Sequence, residues 1–241
     1  MTSAAARKTA PMLVIAHRGA SVDAPENTVD AFRLADEQGA DGVELDVRIS
    51  ATGELLVRHD ALQRSDAASS TLPTFRAALD ACGDEMLVNV EIKNLASDGG
   101  FDASMSIARD TIDEVRRRGP GATGRWLISS FSWATISACR AYAGDIATAF
   151  LCMTLDDERI ERIAAAGHAA VHPWERAVDP SVVERCHAAG LLVNVWTSNS
   201  PERLRELDGM GVDGVCTDVP AVARLALGRE PVATADRPHA W

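Results

Sequence analysis

Apolar residues recur along this chain in two alternating rhythms. Short runs rich in Val, Ile and Leu occur at residues 12–16, 42–49, 86–92, 126–129, 146–151, 169–171, 191–196 and 214–217. Between them, longer segments place apolar residues at helical spacing, at 28–38, 75–81, 104–118, 133–142, 156–166, 180–189 and 201–210. Brief strand-like runs separated by helical stretches predict βα units built around a parallel sheet. Gly39, Gly119, Gly167, Gly190 and Gly211 follow helical segments, where glycine most readily takes the left-handed conformation that ends a helix.

One internal echo supports a repeated unit. The stretch from Gly39 to Val47 (GADGVELDV) matches the stretch from Gly211 to Val219 (GVDGVCTDV) at six of nine positions. Each reads as a helix end, a tight turn and a buried strand. Eight such units predict an α/β fold closed as a (β/α)8 TIM barrel, with functional groups at the C-terminal ends of its strands. A doubly wound open sheet is the alternative, but no G-x-G-x-x-G or Walker sequence marks its usual nucleotide site.

A chain of 241 residues, 46% of them hydrophobic, can bury one substantial core. The expected organisation is a single catalytic domain over 1–241, with its core at about 12–228 and an irregular tail at 229–241 in which Trp241 is free to dock. The net charge is −11 with basic residues scattered, which argues against charge-driven binding of nucleic acid or of an anionic membrane. Five widely spaced cysteines form no C-x-x-C pair and read as reduced packing residues. The apolar stretch at 12–16, although preceded by Arg7 and Lys8, is too short for a signal-peptide core or a membrane span. A cytoplasmic protein without stable membrane association, monomeric or homodimeric, is the expectation.

The candidate chemistry begins in the second strand. Alternation puts Glu44 and Asp46 on one face and Val43, Leu45 and Val47 on the other. Two carboxylates so close together in a hydrophobic strand resist joint ionisation unless a cation or a proton sits between them. The next strand repeats the logic: Val88, Val90 and Ile92 face the helices, and Asn89, Glu91 and Lys93 face the interior. Glu44, Asp46 and Glu91 are hard oxygen donors, suited to one divalent cation, Mg2+ or Ca2+. An internal Glu91–Lys93 ion pair is the plainer reading of that strand, but it explains neither Glu44 nor Asp46.

His17 ends the first strand. His59 follows the short apolar run 54–58, which extends the second unit after a turn at Gly53. Two histidines at one barrel mouth can serve as general acid and base. His168, His172, His187 and His239 have no comparable neighbours and default to structural or surface roles. Arg18 and Lys93 bring positive charge to the same mouth, where a planar guanidinium and an ammonium suit a phosphate group. Pairing of Arg18 with Glu26 is its structural alternative, and the two roles are compatible.

The residues now carry a strong resemblance to the glycerophosphodiester phosphodiesterase family, within the wider group of phospholipase C-like phosphodiesterases. The matching motifs are His17-Arg18-Gly19, Pro25-Glu26-Asn27-Thr28, Glu44-Leu45-Asp46-Val47, His59-Asp60, Glu91-Ile92-Lys93, Val195-Trp196-Thr197 and Thr217-Asp218-Val219-Pro220. The resemblance implies a TIM-barrel hydrolase of lipid and glycerol metabolism that cleaves glycerophosphodiesters to sn-glycerol 3-phosphate and an alcohol. It implies Glu44, Asp46 and Glu91 as metal ligands, His17 and His59 as catalytic groups, and Arg18 and Lys93 as phosphate contacts. Trp196 either walls the pocket or packs in the core, and Asp218 either orients a partner or caps the helix that follows. Glu26 and Asn27 either support the active site or stand at the start of the first helix, where Asn27 or Thr28 is the cap, and Ser129, Ser130 and Phe131 stand where they could line the pocket.

The chain departs from the family after His59. Relatives carry a compact insertion after the second strand, whereas 61–74 is brief here, and Leu72-Pro73-Thr74 resembles that insertion's end. A trimmed cover, with Ser69 and Ser70 as a mobile loop, predicts a more open pocket and a different or bulkier alcohol. The competing activity is that of a related barrel enzyme cleaving a lipid headgroup, of phospholipase C or sphingomyelinase D type. A noncatalytic phosphate-binding barrel is disfavoured by the full set of histidines and carboxylates.

Overall fold

The computed structural model describes residues 10–62, 72–119, 124–230, 238 and 240–241. Strands and helices alternate as β1 (Leu13–His17), α1 (Val29–Glu37), β2 (Gly42–Ile49), β3 (Leu55–Val57), α2 (Phe75–Ala81), β4 (Leu87–Ile92), α3 (Ser106–Arg116), β5 (Trp126–Ser130) and α4 (Trp133–Tyr142). They continue as β6 (Ala147–Cys152), α5 (Asp157–Ala165), β7 (Ala170–Pro173), α6 (Pro180–Ala188), β8 (Leu192–Val195), α7 (Pro201–Gly209), β9 (Gly214–Thr217) and α8 (Pro220–Ala226). Eight strands pair in parallel in the order β1-β9-β8-β7-β6-β5-β4-β2, and β1 pairs with β2 to close the barrel. That closure excludes the open sheet. The extra strand β3 runs antiparallel along β2, with Val47 opposite Val57 and Ile49 opposite Leu55, so the run before His59 does extend the second unit.

The internal echo has a physical cause. Gly39 and Gly211 leave their helices at φ of +77° and +86°. Two residues on, a carboxylate ties down a neighbouring strand: Asp41 Oδ2 accepts from Val14 N at 2.7 Å, and Asp213 Oδ2 accepts from Val193 N at 2.8 Å. At Gly42 an added Cβ would lie 2.8 Å from the Leu87 carbonyl oxygen, and at Gly214 2.5 Å from Asn194 Oδ1. Glycine is therefore what lets the strands approach. We expect Gly42→Ala to destabilise the fold by about 1–3 kcal/mol through overpacking against backbone, as read by urea unfolding; wild-type stability would refute the close-approach argument.

The apolar residues of the strands divide between two faces. Val43, Leu45, Val47, Val88, Val90 and Ile92 pack outward with Phe32, Phe75, Leu79 and Ile112 from the helices. Thr28, Thr74, Ser132, Asp156, Asp179 and Ser200 each accept a first-turn backbone N–H, fixing where six helices start at the barrel mouth. Spacing does not predict helix α8, which starts at Pro220 with no side-chain cap to mark its first turn. All five cysteines are free and buried.

At the opposite end of the barrel, Trp241 does dock. Its backbone N–H donates to Gly124 O, its indole N–H donates to Arg125 O, and its ring packs with Leu127, Ala149 and Ala170. Arg7, Lys8, Ser69, Ser70, His239, most of the shortened stretch after His59 and most of the tail lie outside the described residues. The end of that stretch is described: Leu56 pairs with Thr74, and Val57 N donates to Pro73 O.

Candidate active site

The interior face of the strands is apolar at one end and charged at the other. His17, the last residue of β1, is in register with Glu44 of β2, and Asp46 is in register with Glu91 of β4. Glu44, Asp46 and Glu91 are all buried, and each brings a carboxylate oxygen to within 4.8 Å of the others. Among the described residues Glu44 Oε1 has no hydrogen-bond donor, while Asp46 Oδ1 and Glu91 Oε1 meet only the Lys93 ammonium, at 3.1 and 2.6 Å. Three buried carboxylates with unmet oxygens fit one hard divalent cation. Lys93 and Arg18 offset part of their charge, and with all three carboxylates ionised one negative charge is left over.

Chain geometry after β1 delivers Arg18 to this cluster. Arg18 lies at φ +57° and Gly19 at +84°, and a Cβ on Gly19 would stand 2.6 Å from Ala31, so the sharp turn requires glycine there. Arg18 N then donates to Glu44 Oε2 at 3.0 Å, its Nε lies 3.2 Å from Asp46 Oδ2, and its Nη1 donates to Glu26 Oε2 at 2.9 Å. The structural pairing with Glu26 and the placement at the mouth are both realised.

Of its two expected roles, Asn27 takes the one that supports the site. Thr28 alone caps α1, accepting from Ala31 N, while Asn27 reaches across to Asp46. Its Nδ2 donates to Asp46 Oδ2 at 2.7 Å, and its Oδ1 accepts from Asp46 N at 3.2 Å. Burial works against ionisation of Asp46, but Lys93, Arg18 and the Asn27 bond outweigh it and hold this carboxyl below its ordinary value. Glu44 accepts the Arg18 backbone N–H but no side-chain donor among the described residues, and burial and the adjacent Asp46 charge push it up to about 8. The two carboxyls of one strand face are thus driven apart by their partners.

The histidines differ in setting. His17 Nδ1 is bonded to Asp218 Oδ1 at 2.6 Å, which leaves Nε2 as the ring nitrogen available to the cavity. Burial lowers its basicity, but the Asp218 bond and the Glu44 charge outweigh burial and raise it above the ordinary histidine value. Asp218 is itself held by Ser21 and Asn199 and drops to about 2, against the cost of its burial. It therefore orients His17. It does not cap α8, whose first turn has no side-chain cap. His59 is half-exposed at the rim, with Nδ1 3.0 Å from Asp60 Oδ1.

The same cavity gathers Asn89, Lys93, Phe131, Leu151, His172, Trp196 and Cys216 around His17, Arg18, Glu44, His59 and Glu91. Trp196 meets Phe131 edge to face, with ring centroids 5.3 Å apart, and its indole N–H donates to His172 O, so it walls the cavity. Phe131 lines it as well, whereas Ser130 is turned away to donate to Ile92 O. His172, which its sequence neighbours leave unremarkable, stands in the lining. Burial drops it to about 3, and it contacts the Asn194 amide at 3.1 Å, so it is a neutral polar group. Two-residue alternation through β7 is the signal that places it inward. A larger groove of about 520 Å3 lies outside the barrel by Thr74 and Asp110, where Arg76 and Arg117 are already paired with Glu114.

A parallel barrel with a carboxylate cluster, two histidines and two cations at its C-terminal mouth defines a class, the barrel phosphodiesterases. The family model described as the glycerophosphoryl diester phosphodiesterase family matches residues 17–70 and 61–222, and this chain belongs to that family. It is accordingly a phosphoric diester hydrolase, of a family that depends on a divalent metal. A glycerophosphodiester phosphodiesterase of Caldanaerobacter subterraneus subsp. tengcongensis is 30% identical over 86% of this chain and 94% of its own length. One of Bacillus altitudinis is 28% identical over 86% and 94%. Among solved structures, a phosphodiesterase of Oleispira antarctica in complex with the product sn-glycerol-3-phosphate superposes with a TM-score of 0.80. It is 24% identical and covers 90% of this chain and 97% of that one. A glycerophosphodiester phosphodiesterase of Thermotoga maritima gives 0.69, at 26% identity over 88% and 96%.

Proposed function

We propose that this protein, acting as one catalytic domain in the cytoplasm, hydrolyses glycerophosphodiesters to sn-glycerol 3-phosphate and an alcohol with one Mg2+ or Ca2+ held by Glu44, Asp46 and Glu91. The observation that carries this reading is the buried carboxylate triad with unmet oxygens, flanked at one mouth by His17 and His59. Five unpaired buried cysteines favour a reducing compartment. Among the described residues no helix is long and apolar enough to cross a membrane.

When bound, the cation supplies Lewis-acid polarisation of a phosphoryl oxygen and offsets the triad's charge. Arg18 and Lys93 bind the remaining phosphate oxygens and stabilise the charge that builds on them. His17, fixed through Nδ1 by Asp218, takes the proton of the attacking hydroxyl at Nε2, because a carboxylate behind the ring stabilises the imidazolium that forms. The attacking group is water or a neighbouring hydroxyl of the substrate. His59, at the rim where the alcohol departs, donates a proton to the leaving oxygen. Trp196 and Phe131 form the apolar wall beside the substrate.

Phosphorus NMR with a panel of glycerophosphodiesters tests the reading. It should show a phosphomonoester signal, preceded by a cyclic phosphate if a substrate hydroxyl attacks. No conversion of any diester in the panel would refute it, and conversion of intact phospholipid alone would favour the headgroup phospholipase. Because Glu44 binds its proton more tightly in the ion-free protein, protons compete with the cation there. Apparent affinity for Mg2+ or Ca2+ should therefore rise with pH through neutrality, as read by calorimetric titration; affinity independent of pH would contradict Glu44 as a ligand.

A further inference from the structure

The inward face of β2 reads Gly42, Glu44, Asp46, Arg48, so a third polar side chain stands one step beyond the two carboxylates. Arg48 is 8% exposed although it lies near the mouth, because β3 folds back beside it. A buried guanidinium is costly unless its N–H groups are satisfied. Here they are spent on one loop: Nε and Nη2 both donate to the His59 carbonyl oxygen, at 2.9 and 2.6 Å. Nη1 donates to Asp98 Oδ2 at 2.8 Å and reaches Lys93 O at 3.5 Å. One rigid fork thus ties together the backbone at His59, the backbone at Lys93 and the loop that follows β4.

We infer that Arg48 is a positioning residue for His59, a buried clamp that sets the distance between this histidine and the phosphate contact Lys93. Arg48 does not itself line the cavity, so it acts through the backbone it holds. The need for such a clamp follows from the local chain. His59 sits past the end of a three-residue strand, half-exposed, and among the described residues its ring is paired only with the exposed Asp60. Arg58 N bonds to Asp46 O at 3.1 Å and anchors the residue before it, but that bond leaves the peptide after His59 unfixed. Two charge-assisted bonds to one carbonyl supply the missing restraint, and only a planar fork supplies both, so lysine is a poor substitute.

The inference rests on the role given to His59 above, and a double-mutant cycle separates the two. With cation saturating, Arg48→Ala should lower kcat by about 10- to 100-fold, the scale for misplacing a catalytic group by roughly 1 Å, while KM moves less than about threefold. Arg48→Lys should recover little. Millimolar guanidinium should restore part of the lost rate to Arg48→Ala and none to His59→Ala. In the His59→Ala background, Arg48→Ala should cost less than about threefold more, because two residues acting as one unit are not additive. Wild-type kcat in Arg48→Ala, full additivity of the two losses, or a fall in kcat and KM binding together with no rescue would overturn the inference. Wild-type turnover by His59→Ala would instead overturn the role of His59 itself.

Discussion

Asp46→Asn should reduce turnover by at least about 10³-fold, the several kcal/mol expected when a catalytic cation is lost, at 1.36 kcal/mol per factor of ten. Asp46 is fully buried and central: Asn27 donates to it, Lys93 lies 3.1 Å from one oxygen and Arg18 3.2 Å from the other. The asparagine keeps the shape and removes the charge. The substitution leaves Arg18 paired with Glu26 and Lys93 paired with Glu91, so the fold itself should lose less than the roughly 3–5 kcal/mol of a buried charge stripped of its partner. Rates at saturating cation, together with a calorimetric titration and a urea transition, separate the two effects. A variant that still binds the cation with wild-type affinity would remove Asp46 from the ligand set.

His59→Ala should cost about 10²- to 10⁴-fold in kcat for a glycerophosphodiester of an unactivated alcohol, the range for a general acid. The loss should shrink to under about tenfold for an analogue whose leaving group is p-nitrophenolate, since an alcohol that departs readily as its anion needs no proton. His17→Ala should be equally damaging with both substrates, because removing a proton from the nucleophile does not depend on what leaves. His59 is half-exposed, so its replacement leaves the core untouched and turnover reports the chemistry directly. Equal losses by His59→Ala on the two substrates would assign it to another step.

Much of this site was legible in the chain because strand alternation is local. Glu44 and Asp46 share a face by their spacing alone, and Glu91 and Lys93 repeat the pattern on the strand that proved to be their neighbour. What escaped the sequence is carried by long-range contacts. Asn27 reads equally as a helix cap or as a support for the site, and only its bond to Asp46, 19 residues on, decides between them, with Thr28 taking the cap. The bond between His17 and Asp218 joins residues 201 apart, so the orienting role of Asp218 could not be separated from capping until the barrel closed. Arg48 carries no motif, and its burial depends on β3 returning beside it. His172 carries no motif, and only its place on the inward face of β7 brings it to the cavity wall.

The most direct measurement of the central claim is the initial rate on one glycerophosphodiester after exhaustive chelation, followed by titration with Mg2+ or Ca2+. The account expects no detectable turnover in the chelated protein, and saturable recovery with one ion per chain. Turnover that survives chelation unchanged, or that no divalent cation restores, would contradict a hydrolase built on Glu44, Asp46 and Glu91.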